Sequence, residues 1–183
     1  GALLDYVKTT QKAELKHVRK LLPYGAENYL SMDFATRRNL EIERNSRTLE
    51  RKGSLLELLD MTGTAMGGRK LRHWLSNPLK DLKGIRARLD SVEELTERRS
   101  ERRTISLELK AIYDLERLCA RVSIAVASPR DLVMLKTSLV KVKAIKGVLK
   151  VFSTELVKEV FSSMDEAQDV VSLIDISVVE APP

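Results

Sequence analysis

The sequence predicts an all-α fold, an array of long helices with at most one or two short strands. Three observations carry this. Breakers are scarce, with 8 glycines and 5 prolines in 183 residues. Apolar residues recur at three- and four-residue steps along several stretches, the period of a helix with one buried face. Capping residues stand immediately before those stretches. Hydrophobic residues make up 43% and charged residues 32%, enough apolar surface for a packed core and too much for a disordered chain. Aromatic content is 4%, so aliphatic side chains must do the packing.

A first helix is predicted over 3–22, with Leu4, Val7, Leu15, Val18 and Leu22 on one face, ended by Pro23-Tyr24-Gly25. Residues 29–33 read as a short extended segment. Asp33 can cap a turn or short helix over 36–40, and residues 44–53 read as a solvated loop. Ser54-Leu55-Leu56-Glu57 is a capping box that opens a helix ending near Asp60. Thr64 caps the next, running to Leu75, in which Gly67-Gly68 costs about 1 kcal/mol per glycine relative to alanine and implies close approach of another backbone.

Asn77-Pro78 stops that helix and Asp81 starts another, with Ile85, Leu89, Val92 and Leu95 as its apolar stripe. A long helix is predicted over 104–127 from Ile105, Leu109, Ile112, Leu115, Cys119, Val122 and Val126. Ser128-Pro129-Arg130-Asp131 is the clearest start signal, with a serine cap, proline in the first turn and an acid at the positive helix end. That helix continues through Leu149. A last helix, opened by Ser163, leads into the β-branched run at 174–179.

Composition excludes several classes of protein. No apolar run approaches the ~18 residues of a membrane span, and no secretory signal is visible, so a cytoplasmic protein with no membrane partner is expected. The one cysteine, Cys119, lies in an apolar stripe and is expected to be a small buried hydrophobe. The net charge of +6 is unevenly spread, since residues 151–183 hold one lysine against seven acids. The basic remainder is either a solvated helix surface or a surface drawn to phosphate backbones.

Catalytic signals are thin. His17 and His73 have no metal-ligand spacing, and no nucleophile stands beside a base. Gly63, Gly67 and Gly68 lack the G-x-x-x-x-G-K-[ST] order of a phosphate loop. Glu93-Glu94 reads as a solvated pair. The expected site residues are therefore catalytic none, cofactor-binding none and metal none. Two groups remain. Lys136, Lys143, Lys146 and Lys150 fall within about 80° of one another on a helical wheel and are candidate DNA-backbone contacts; Arg98, Arg99, Arg102 and Arg103 form a second basic cluster. Asp114, Glu116, Arg117 and Arg121, with Arg130 and Asp131 beyond the following bend, read as a structural junction between two helices, with Glu116 placed to meet another helix.

Several motifs occur in a specific order: Met32-Asp33-Phe34-Ala35-Thr36-Arg37-Arg38-Asn39-Leu40-Glu41-Ile42, Ser54-Leu55-Leu56-Glu57-Leu58-Leu59-Asp60, Thr64-Ala65-Met66-Gly67, Trp74-Leu75 with Pro78-Leu79, Arg88-Leu89-Asp90-Ser91-Val92-Glu93-Glu94-Leu95, Asp114-Leu115-Glu116-Arg117-Leu118 and Ser128-Pro129-Arg130-Asp131-Leu132. With the first helix at 3–11, they resemble the core of DNA mismatch repair proteins of the MutS family across nearly the whole chain. The resemblance implies a helical core, or lever, joining DNA-binding parts to an ATPase. Residues 1–28 would be the first helix and connection from a preceding connector domain. Residues 29–183 would be the first segment of the core, ending just before an inserted clamp. ATP and Mg would belong to the ATPase domain elsewhere in the parent, and this segment would hold no cofactor and catalyse nothing.

The implied partners are the connector, clamp and ATPase domains, mismatched double-stranded DNA through the parent, and a second parent chain in a homodimer. Two other readings of the residues are a freestanding helical adaptor and a standalone basic nucleic-acid-binding module. The core reading alone predicts an exposed apolar surface where the rest of the core packs.

Overall fold

Side-chain caps open five of the helices where the sequence places them. Asp33 accepts from Thr36 N–H at 2.6 Å, Ser54 from Glu57 at 3.1 Å, Thr64 from Gly67 at 2.9 Å, Asp81 from Gly84 at 2.7 Å and Ser128 from Asp131 at 3.3 Å. The computed structural model describes residues 28–180 together with Tyr6, Thr9 and Thr10. Within them lie α1 (Phe34–Asn39), α2 (Leu55–Leu59), α3 (Ala65–Ser76), α4 (Leu82–Glu97), α5 (Arg99–Lys110), α6 (Leu115–Ser123), α7 (Pro129–Leu149), α8 (Glu155–Ser163) and α9 (Gln168–Ser177). The predicted helix over 3–22 lies outside the described residues except for Tyr6, Thr9 and Thr10, which are helical.

The extended segment at 29–33 is reduced to one antiparallel bridge between Tyr29 and Leu79. Leu30 N–H donates to Pro78 O at 2.8 Å and Lys80 N–H to Asn28 O at 3.0 Å, which ties the turn after α3 to the segment before α1. The described residues are thus mostly helical, as the scarcity of breakers predicts.

The longest helix among the described residues, α7, is the spine: α5, α6, α8 and α9 all pack on it, while α4 packs on α5 and α8. The core is a cluster of Leu118 from α6, Leu135 from α7 and Ile174 from α9, with Leu115, Leu132, Leu139, Val170 and Val178 around it. Ser138, the only fully buried side chain among the described residues, sits on the same face of α7. Its Oγ donates to Met134 O at 2.8 Å and accepts Tyr113 N–H at 3.0 Å.

That last bond accounts for the first departure from expectation. The predicted helix over 104–127 is two helices, α5 and α6, separated at residues 111–114. Periodicity runs straight through the break, but the chain turns there: α5 ends at a tight cap on Ala111, Ser138 takes Tyr113 N–H, and Asp114 caps α6 by accepting Arg117 N–H at 3.3 Å. At its other end α5 begins at Arg99, inside the arginine-rich stretch. The last helix also departs. Ser163 ends α8 instead of opening a helix, and the β-branched run is helical through Ser177. The Ser54–Glu57 capping box is displaced too: Glu57 accepts from Gly53 N–H at 2.6 Å, one residue before the serine.

Two exposures differ from the stripes read off the sequence. Cys119 is exposed, because the buried line of α6 passes through Leu115 and Leu118, one residue out of step with it. On α4 the buried residues are Ser91 and Glu94, while Leu89 and Val92 are 61% and 59% exposed. The expected solvated Glu94 is therefore buried, and half of the expected stripe faces out.

Candidate functional site

The residues expected to form one junction form two. At the start of α6, Arg69 from α3 grips Asp114 with both terminal nitrogens, Nη1 to Oδ2 at 2.9 Å and Nη2 to Oδ1 at 2.8 Å, and Nη2 also pairs with Glu116. Glu116 thus meets another helix, as its place off the Asp114 face suggests. The guanidinium holds the Asp114 carboxyl below the usual carboxylate range against its partial burial, and Asp114 followed by Glu116 raises Arg69 in return. Planar bidentate pairing fixes the angle between donor and acceptor, which a lysine cannot do.

At the other end of α6, Arg121 closes the bend into α7. Its Nε meets Asp131 Oδ2 at 3.0 Å and its Nη2 donates to Val126 O at 3.1 Å. Asp131 completes a reciprocal cap, accepting Ser128 N–H at 2.7 Å; that bond, then the Ser128 hydroxyl and Arg121, lowers its carboxyl pKa against burial. Arg117 contributes its backbone N–H to the Asp114 cap, and its side chain is exposed. Arg130, next to Asp131 in sequence, is exposed.

A third junction had no local signal. Glu94 of α4 receives four donors from the start of α8: Ser153 N–H at 2.6 Å and Oγ at 2.8 Å on Oε1, Thr154 N–H at 3.0 Å and Oγ1 at 2.8 Å on Oε2. Burial alone would push this carboxyl up. The Thr154 and Ser153 donors outweigh it and hold the group down to about 2. Glu94 therefore stands in for the side-chain cap that α8 lacks. A fourth tie joins the loop before α2 to α3: Glu43 accepts Arg72 Nε and Ser76 Oγ, both at 2.6 Å.

The four lysines are not equivalent. Lys136 pairs with Asp175 of α9 at 2.7 Å and is 16% exposed. Lys146 donates to Met164 O at 2.6 Å and lies 5.6 Å from the Phe161 ring centre. Lys143 and Lys150 are exposed. In the second basic cluster Arg102 donates to Leu95 O at 3.1 Å, closing the end of α4, and Arg98 lies over the Phe152 ring at 5.5 Å.

A cavity of about 730 Å³ lies between the 43–51 loop and the α2–α3 turn. Three of its four guanidinium groups are already paired with acids, Arg51 with Asp60, Arg69 with Asp114 and Arg72 with Glu43, and the fourth, Arg44, donates to Leu49 O. The glycines beside it are packed against side chains and not another backbone. A Cβ at Gly67 would lie 3.0 Å from Thr64 Oγ1, and one at Gly68 3.4 Å from Thr62 Oγ1. Gly67 N–H is used by the Thr64 cap, so a phosphate could not claim it without breaking that cap. No group of three or more His, Cys, Asp or Glu side chains able to hold a metal occurs among the described residues, and no helix there is long and apolar enough to cross a membrane.

The strongest geometry in the molecule is thus a set of charged locks between helices. Comparison with known proteins agrees with such a core. Residues 35–183 match the family described as MutS domain III. The chain is 44% identical over its whole length to the DNA mismatch repair protein MutS of Caldanaerobacter subterraneus subsp. tengcongensis, and 43% identical to that of Acetivibrio thermocellus. The MutS of Clostridium kluyveri is 41% identical, also over the whole chain. In each case the chain spans 21% of the relative's length, about one fifth. The chain belongs to the MutS domain III family.

Proposed function

We propose that this segment is the helical core, or lever, of a longer DNA mismatch repair protein, and that it couples mismatched-DNA binding in other domains to an ATPase elsewhere in the parent. Residues 1–28 serve as the connection from a preceding connector domain, and 29–183 as the first part of the core before a clamp. ATP and Mg act in the distant ATPase domain, this segment contributes no catalytic group, and the parent works in the cytoplasm as a homodimer.

The observation that supports this most is the outer face of α4. Leu82, Leu89 and Val92 are 57%, 61% and 59% exposed and spaced to lie on one side of the helix. A continuous apolar helix face is a surface built to be covered. A chain that spans one fifth of its relatives has ample remaining protein to cover it. The freestanding-adaptor reading has no need of the rigid charged locks on α3, α6 and α7. A core that must move as a unit does, since coupling requires elements with discrete arrangements.

The test is Leu89→Asp combined with Val92→Asp in the full-length parent. ATP-dependent release from mismatched DNA should slow at least several-fold. If release and thermal stability are both unchanged, α4 covers nothing and the core reading of this face is wrong.

A further inference from the structure

A second surface faces outward at the C-terminal end of α3, where Ser76 contributes to its wall. Helix α1 and the loop at 42–49 enclose a cavity of about 490 Å³ walled by Phe34, Ile42 and Leu49 and by the arginines Arg37, Arg38 and Arg44. Phe34 is 81% exposed although it lies on the helix that borders this cavity. Leu49 stands 57% exposed on the other rim, held in a left-handed conformation at φ 58°. Arg37 Nε is buried with no hydrogen-bond partner among the described residues. A buried guanidinium N–H left unsatisfied costs about 1–3 kcal/mol or more, so the arrangement is incomplete as it stands.

The one carboxylate in the cavity wall is spent. Glu43 accepts from Arg72 and Ser76; these bonds, with the nearby charges of Arg72 and Arg37, hold it below the usual carboxylate range despite its burial, but it gives Arg37 Nε no hydrogen bond. Arg44 donates to Leu49 O at 3.1 Å, which braces the rim but leaves its positive charge uncompensated by an acid. The loop is not loose. Asn45 Oδ1 accepts Arg47 and Thr48 N–H at 2.9 and 3.2 Å, and Glu41 Oε1 accepts Ser46 N–H at 2.7 Å. The cavity is therefore preformed, apolar on its walls and positive at its floor and rim.

We infer that this cavity is a docking site for a segment of the same parent chain outside residues 1–183, one that inserts an apolar side chain beside Phe34 and presents a carboxylate to Arg37. Charge complementarity selects an acid. The three apolar walls disfavour a nucleic-acid backbone, which seeks cations without hydrocarbon. The source is the parent because the curated relatives are about five times longer than this chain, so the partner segment travels at high effective concentration. This inference rests on the core reading above but concerns a different face from α4.

The experiment places a photoreactive benzoylphenylalanine at Phe34 in the full-length parent, with a second version carrying it at Leu89. Mass spectrometry identifies the crosslinked segment. The expected result is an intrachain crosslink from position 34 to a stretch beyond residue 183 or before residue 1 that contains Asp or Glu, with a yield that falls at least fivefold when Arg37→Glu is added. Charge reversal of the crosslinked acid to Arg in the Arg37→Glu background should restore the yield. A crosslink from position 34 to DNA, to another protein, or only to residues within 1–183 overturns the inference. A crosslink at position 89 without one at 34 leaves the core reading intact and removes only this site; loss of both removes the core reading as well.

Discussion

Glu94 caps a helix that begins sixty residues later, accepting the N–H of Thr154 at 3.0 Å and its hydroxyl at 2.8 Å on the same carboxylate oxygen. One side chain on α4 thereby sets where α8 starts. Glu94→Ala leaves the donors of Ser153 and Thr154 partly stranded and should destabilise the protein by about 2–3 kcal/mol, read as a lower urea midpoint at unchanged slope. Glu94→Gln, which offers one acceptor and one repelling amide, should cost roughly half as much.

The same carboxylate gives a pH signature. Its pKa falls from 4.5 to about 2 on folding. The unfolded chain therefore binds the proton more readily, and the stabilisation is complete above pH 4.5 and lost as pH falls toward 2. Glu94→Gln should flatten the acid limb of the stability curve within that window. An unchanged limb would mean that the donors seen around Glu94 do not act on its charge.

Ser138 sets the corner between α5 and α6 by accepting Tyr113 N–H at 3.0 Å on its buried hydroxyl. Ser138→Ala should cost about 1–3 kcal/mol because it removes the hydroxyl that Tyr113 N–H uses. Thr137→Ala is the control: its hydroxyl only donates back to Val133 O at 2.9 Å, so the midpoint should hardly move. Equal losses in the two variants would deny Ser138 its role.

Arg69 locks α3 to the first turn of α6. Arg69→Ala should raise amide exchange at Arg117 and Leu118 a few-fold, and Arg69→Lys, which keeps the charge but not the fork, should fall between. Protection unchanged by both substitutions would show that the Asp114 cap stands without its partner.

The paired glycines separate cleanly. A Cβ at Gly68 would meet Thr62 Oγ1 and Asp60 Oδ2 at 3.4 and 3.6 Å, ordinary contact, so Gly68→Ala should stabilise α3 by about 0.5–1 kcal/mol through helix propensity. At Gly67 the Cβ would crowd the capping hydroxyl of Thr64 at 3.0 Å, and that gain should vanish. Thermal midpoints of the two variants distinguish these outcomes.

What could be read from the residues was local. Asp33, Ser54, Thr64, Asp81 and Ser128 each announce a helix because a cap works over three residues, and every one of them is used. The break at 111–114 carries one local signal, the Asp114 cap, which the unbroken periodicity masks, and one distant cause, Ser138, 25 residues away in another helix. For α8 the missing signal was Glu94, an acid whose neighbours in sequence give no hint that its oxygens meet Ser153 and Thr154. The junction was half legible. Asp114, Glu116, Arg121 and Asp131 were recognisable as charged residues flanking a bend, whereas Arg69, which completes the first lock, sits on a helix that sequence spacing cannot bring near. Helical period placed the α4 stripe on one face but could not say whether that face looked inward.

The ion pairs of α7 with the segment that follows it have an electrostatic consequence. Lys136 is neutralised by Asp175, and Lys146 is turned toward Met164 and Glu166. The acidic stretch after Val151 thus behaves as a tethered competitor for the basic face of its own spine. A chain shortened to end at Lys150 would bare Lys136, Lys143, Lys146 and Lys150 together, and should leave a heparin column at higher salt than the 183-residue chain. The sequence that follows α7 decides how much of its charge other molecules can feel.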